Sequence, residues 1–136
     1  MNSLDLVREF HEVYGQPIEE HPSIEDDGVN ELRLNLLYEE LRELRTALDE
    51  RDHVGVLDAL TDIQYVLDGA YLSLGYHPLK QVALAEVHRS NLSKLEDGRV
   101  VLRPDGKVLK GKDYSPPNLR AMVEFSLYLK ERARVD

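Results

Sequence analysis

Apolar residues recur along most of the chain in steps of three and four, the spacing of one face of an α-helix and not the alternation of a strand. A first helix is expected from about Ser3, read as its N-cap, through Leu6, Val7, Phe10, Val13 and Tyr14, with Gly15 and Pro17 ending it. Residues 16–28, QPIEEHPSIEDDG, hold two prolines and no period, and read as an acidic loop. The second helix is expected over 29–50, with Leu34, Leu37, Leu41, Leu44 and Leu48 as its core stripe. The third is expected over 53–74, with a core face of Val56, Leu60, Ile63, Leu67, Ala70 and Leu74. Gly75 closes it, and Pro78 opens a fourth that reaches about Leu92.

The pattern then changes. Within residues 96–113, the string GRVVLRPDGKVLKGK sets two short β-prone runs on either side of Pro104-Asp105-Gly106, a turn signal. A small hairpin or an ordered loop is expected there. Ser115-Pro116-Pro117-Asn118 then caps a last helix over about 118–133, followed by a polar tail. Short connections favour antiparallel neighbours, so the expectation is one all-α domain over 1–136, an antiparallel bundle of four to five helices with a small insert.

Composition narrows the class. A chain of 136 residues with 42% hydrophobic and 32% charged residues has the size and balance of one globular domain. No apolar run approaches the roughly 18 residues of a membrane span, and the N-terminal MNSLDLVREF lacks the pattern of a secretion signal. With no cysteine there is no thiol chemistry and no Cys-ligated metal. A cytoplasmic protein is expected. The net charge of −9 argues against nucleic acid as a partner, because such binding depends on cations meeting phosphates. That charge is divided: residues 1–68 hold 18 acidic and 5 basic side chains, residues 69–136 hold 8 and 12.

The acidic half contains the candidate chemistry. Glu39, Glu40 and Glu43 spell EExxE on the second helix and share a sector with Leu32 and Leu36, beside the leucine stripe and not opposite it. Asp58 and Asp62 lie one turn apart on the third helix, on a face with Gly55 and Gly69 and bordered by Tyr65. Carboxylates beside a core are costly without a cation, and oxygen ligands of this hard kind suit Mg²⁺ or Mn²⁺ more than zinc. The competing reading is an ordinary solvated acidic face, with Arg42 and Arg45 neutralising Glu39 or Glu43 at helical spacing.

Five strings occur in order: LLYEELREL, DALTDIQYVLDGAYLSLGY, EVHRSNLSKL, DGKVLK and YSPPNL. Together they resemble the small single-domain MazG-like branch of the all-α nucleoside triphosphate pyrophosphohydrolases, related to phosphoribosyl-ATP pyrophosphohydrolase and the dimeric dUTPases. The resemblance covers most of residues 1–119. It implies a helical bundle that forms a homodimer or homotetramer. It also implies cleavage of a nucleoside triphosphate between the α and β phosphates, giving the monophosphate and pyrophosphate, with dUTP or dGTP-like substrates foremost.

The family's metal motif is EExxE followed by ExxD on the next helix. Matched here, Glu39, Glu40, Glu43 and Asp62 become ligands for Mg²⁺ or Mn²⁺, two or more ions per site. The glutamate of ExxD is replaced by Ala59, and Asp58, one residue earlier, is the candidate substitute. Glu39 or Glu40 is the expected acceptor of the attacking water's proton. Arg89, Asn91 and Lys94 in EVHRSNLSK, and Lys107 and Lys110 in DGKVLK, are the expected phosphate and nucleotide contacts, with Tyr65 against base or sugar. Two decoys are set aside. Gly106–Asp113 approximates a phosphate-binding loop but has Asp113 where a hydroxyl belongs and YSPPN in place of a helix. Glu50-Arg51-Asp52-His53 is a single Glu-x-x-His, where a di-iron site needs two. The alternative to the enzyme is a non-catalytic acidic helical module with an interaction or regulatory role.

Overall fold

The computed structural model describes residues 1–135. Its elements are α1 (Ser3–Tyr14), α2 (Asp27–Asp49), α3 (His53–Ser73), a 3₁₀ turn (His77–Leu79), α4 (Lys80–Leu92) and α5 (Arg120–Val135). The protein is all-α, as the apolar spacing predicts, and no β-sheet forms among the described residues. The last residue of the expected polar tail, Asp136, lies outside the described residues. The chain divides into two compact units, Met1–Pro78 and Leu79–Asp136.

In the first unit, α2 and α3 form a helical hairpin and α1 packs on α3. The cap of α1 falls one residue before the expected Ser3. Asn2 accepts from the Asp5 N–H at 3.0 Å while its own N–H donates to the Asp5 carboxylate, a reciprocal capping box. Asp26 caps α2 and Asp52 caps α3, each accepting a backbone N–H three residues on. Between α2 and α3 the chain reverses over Glu50, Arg51 and Asp52, with Arg51 in the left-handed region at φ 57°.

The expected core stripes are corrected here. Leu34, Leu41 and Leu48 of α2, and Leu60 and Leu67 of α3, are exposed. α2 buries Arg33 and Ala47 instead, and α3 buries Ala59, Gly69, Ala70, Leu72 and others. The apolar stripe of α2 is turned about a quarter of the helix circumference away from the face that meets α3. That meeting face carries Glu40. Periodicity identified the helix but not which face the single chain buries. On α1, similarly, Val7 and His11 are buried while Leu6, Val13 and Tyr14 are exposed.

The segment between α1 and α2 is fastened to the end of α3. The backbone N–H groups of Glu19 and Ser23 donate to the carbonyls of Leu72 and Leu74 at 2.9 and 2.8 Å. The Pro17 carbonyl accepts from His11 Nδ1 at 3.1 Å and from Ser73 Oγ at 2.9 Å. Arg33 reaches this same knot, donating to Gln16 Oε1 at 3.1 Å. Gly75, at φ 76°, has the backbone of His21 where a Cβ would stand.

In the second unit, the helix expected from Pro78 begins as the 3₁₀ turn and becomes α-helical at Lys80. The insert expected as a hairpin or ordered loop is an ordered loop with two isolated antiparallel bridges, Glu96↔Arg99 and Leu102↔Val108. The first closes on Asp97-Gly98, both at positive φ (50° and 73°), the geometry that suits a two-residue reversal. The second closes around the expected Pro104-Asp105-Gly106. Glu86 and Arg89 of α4 hold the segment before α5: Arg89 donates to Ser115 Oγ and the Pro116 carbonyl, and Glu86 accepts from the Asn118 N–H.

Candidate active site

Glu40 and Glu43 stand one turn apart on α2, and Asp62 faces them from α3. One carboxylate oxygen from each lies within 4.8 Å of the others. The helices cross the hairpin in register: near the turn Ala47 approaches Gly55, where a Cβ would sit 3.1 Å from the alanine's, and two turns further on Glu40 meets Asp62.

The cluster is electrostatically strained. Burial, first, and then the charges of Glu43 and Asp62 push the Glu40 carboxyl up to about 7. A hydrogen bond with Glu43 and the Asp58 charge add to this. Asp62 is raised as well, by burial and by Asp58 and Glu43. Glu40 Oε2 is shielded from solvent and has no hydrogen-bond partner. The nearby arginines do not neutralise the face: Arg45 pairs with Asp49 at 3.2 Å, and no ion pair joins Glu39, Glu40 or Glu43 to a cation among the described residues. A buried, unpaired carboxylate oxygen among like charges is what a hard divalent cation would satisfy, so these residues fit Mg²⁺ or Mn²⁺.

The remaining acidic positions fall around this trio. Glu39 is exposed and outside it. Ala59 is 1% exposed, buried within the first unit. Asp58 is exposed and outside the trio, yet near enough to bear on both Glu40 and Asp62. Beyond Glu43 and Asp58 opens a cavity of about 320 Å³, walled also by Arg42, Thr46, Asp52 and Gly55. Tyr65, one turn after Asp62, sets its ring edge-on to Phe10 of α1 at 5.7 Å. Phe10 was not singled out by the sequence, because only the packing of α1 brings it beside Tyr65.

In the second unit, Arg89 is occupied by Glu86, Ser115 and Pro116. Asn91 is exposed, and Lys94 is half-buried beside the Gly111 N–H that its carbonyl accepts at 3.0 Å. Lys107 is exposed, and Lys110 lies over the Tyr114 ring, 4.8 Å from its centre. Among the described residues, Lys94 and Lys107 have no ion-pair partner, whereas Arg103 and Lys112 are paired with Asp105 and Asp97.

The fold and the site define an all-α helical hairpin with three converging carboxylates. The model of the phosphoribosyl-ATP pyrophosphohydrolase family matches residues 7–91, from α1 to the end of α4. The chain belongs to that family, within the MazG-like all-α nucleoside triphosphate pyrophosphohydrolases. The family's activity is pyrophosphohydrolysis of nucleotide-like substrates. No curated protein matches the chain. No helix among the described residues is long and apolar enough to cross a membrane.

Proposed function

We propose that the protein hydrolyses a nucleoside triphosphate between its α and β phosphates, releasing the monophosphate and pyrophosphate, with dUTP or dGTP-like nucleotides as substrates. The observation that carries this reading is the convergence of Glu40, Glu43 and Asp62 within 4.8 Å, with Glu40 Oε2 buried and without a hydrogen-bond partner. Glu40, Glu43 and Asp62 would hold Mg²⁺ or Mn²⁺, with Asp58 as the candidate to complete the set directly or through water. When bound, the ions would neutralise phosphate charge and lower the pKa of a coordinated water.

The chain's own residues supply the rest. Glu39, next to the ligands and outside the trio, accepts the proton of the water that attacks the α-phosphorus. As that P–O bond forms, the bond to the bridging oxygen breaks and its electrons leave with pyrophosphate. Glu40 serves chiefly as ligand. Lys94, Lys107 and Lys110, with Asn91 and Arg89, are candidates for nucleotide contacts on their chemistry, and alanine variants in the same assay assign them.

The exposed leucines of α2 and α3 support a homodimer or homotetramer, since apolar stripes of this extent are normally covered. The working compartment in this reading is the cytoplasm, where nucleoside triphosphates are found.

The test incubates the protein with each dNTP and NTP in Mn²⁺ and resolves the products by chromatography. Phosphoribosyl-ATP belongs in the panel, because the family match carries that name. Monophosphate with pyrophosphate is the expected result. Diphosphate with orthophosphate overturns the bond assignment. No turnover of any substrate, with no rise in melting temperature on adding Mn²⁺, leaves the acidic helical module as the better account.

A further inference from the structure

We infer that Phe10 and Tyr14, braced edge-on by Tyr65, form a platform on which the base of the substrate stacks, and that this platform favours a purine over a pyrimidine. The inference rests on the proposed nucleotide hydrolysis and names the substrate class of that site. Phe10 and Tyr14 are one turn apart on α1, with ring centres 4.5 Å apart and planes tilted by 38°. Tyr65 of α3 meets Phe10 edge-on at 5.7 Å and 85°. These are favourable aromatic geometries, but they do not bury the rings: Phe10 is 41% exposed, Tyr14 66% and Tyr65 37%. α1 is held instead by Val7 and His11, which are buried. The aromatic group is thus an assembled surface facing outward, not part of the core.

Its position gives it a use. Tyr65 follows Asp62 by three residues on α3, one turn further along the same flank and a rise of about 4.5 Å. A nucleotide whose phosphates meet cations held by Glu40, Glu43 and Asp62 has these rings within its length, one turn of α3 from a proposed ligand. Among the described residues neither tyrosine hydroxyl is hydrogen-bonded within the protein. A flat aromatic ring gains from stacking on such a surface whatever its edge carries. Two hydroxyls are the only polar groups these side chains offer to the base edge, so overlap area decides, and the larger purine overlaps more.

The experiment measures binding by calorimetry in Mn²⁺, using α,β-methylene analogues of dGTP and dUTP and, as a base-free probe, inorganic tripolyphosphate. Wild type should prefer the purine analogue. Tyr14→Ala and Phe10→Ala should weaken the purine analogue about tenfold, a typical loss when one stacking side chain is removed, and leave tripolyphosphate unchanged. Tyr14→Phe should keep wild-type affinity. Tyr14 is exposed enough for Tyr14→Ala to fold even if Phe10→Ala does not, and melting curves verify this. Unchanged nucleotide affinity in Tyr14→Ala overturns the platform while the hydrolase reading stands. So does an equal loss for tripolyphosphate. A change of oligomeric state without a change in affinity assigns the patch to a second copy instead. If wild type releases no pyrophosphate from any nucleotide, the hydrolase reading itself fails.

Discussion

Glu40 concentrates the chemistry of the site in one residue. Its carboxyl is pushed up to about 7, so the folded protein retains a proton there that the unfolded chain releases near 4.5. The folded state therefore binds more protons between these values, and stability falls as pH rises through the window. Below about 4.5 the difference vanishes, and above 7 the loss is complete. In chelator, the melting temperature should decline from pH 5 to pH 8, and Mn²⁺ should remove most of that decline. Glu40→Gln should abolish turnover yet raise the chelator-treated melting temperature at pH 8 by roughly 3–6 °C, the equivalent of about 1 kcal/mol for a chain of this size. A simple loss of stability at pH 8 would show that Glu40 is not strained. His11 works in the opposite direction. Burial lowers its pKa, the hydrogen bond to the Pro17 carbonyl pulls the other way, and the Arg33 charge adds a smaller lowering. Its contribution is intact above about 6.5 and is lost as pH falls below. His11→Gln should flatten the acid limb of the stability profile and leave the alkaline limb untouched.

At the level of elements, the α2–α3 hairpin is governed by what fits between its helices. Gly69 shows this. A Cβ there would stand 2.9 Å from Arg33 Nη1 and 3.2 Å from His11 Nε2. Both neighbours are themselves buried. Alanine normally gains up to about 1 kcal/mol over glycine inside a helix. Here the added methyl would push on a buried guanidinium that is bonded to Gln16, so Gly69→Ala should destabilise by about 1–2 kcal/mol in denaturant unfolding, and a stabilised variant would refute the contact. The sequence exposed part of this arrangement. Spacing located every helix to within a few residues, and Gly69 stood out as a glycine inside a helical run. EExxE and the paired aspartates pointed to the convergence at Glu40, Glu43 and Asp62. What periodicity missed was orientation. It ranks faces by residue type, so it assigned Leu34, Leu41 and Leu48 to the core and had no means of placing Arg33 and His11 there. A buried guanidinium and imidazole are set by tertiary partners, Gln16 and the Pro17 carbonyl, that lie outside any helical repeat. The join of Phe10 to Tyr65 was hidden for the same reason.

Across the whole molecule, the division of charge follows the division of structure. No Asp, Glu, Lys or Arg lies between residues 69 and 78, so the first unit carries the whole balance of 18 acidic against 5 basic side chains and the second carries 8 against 12. A local excess of this size draws divalent cations to the carboxylates and weakens as salt screens it, so Mn²⁺ affinity should fall with rising NaCl. The same unit leaves Leu34 (45% exposed), Leu41 (52%), Leu60 (51%) and Leu67 (38%) uncovered. Fully burying a leucine contributes about 1.5–3 kcal/mol, so covering these four outweighs the cost of association only if they lie on one continuous surface. Helix geometry places them so: on an antiparallel pair, stripes rotated the same way from the facing line emerge on one side, and α1 with the carboxylates takes the other. Self-association should therefore proceed through the leucine side without obstructing the metal ligands. Light scattering should give a mass at least double the 15.6 kDa of one chain. Leu34→Glu combined with Leu67→Glu should reduce it to a single chain while Mn²⁺ still raises the melting temperature. A double variant that stays assembled would move the interface elsewhere, and one that loses Mn²⁺ binding as it dissociates would show that the carboxylates need the second copy to hold their geometry.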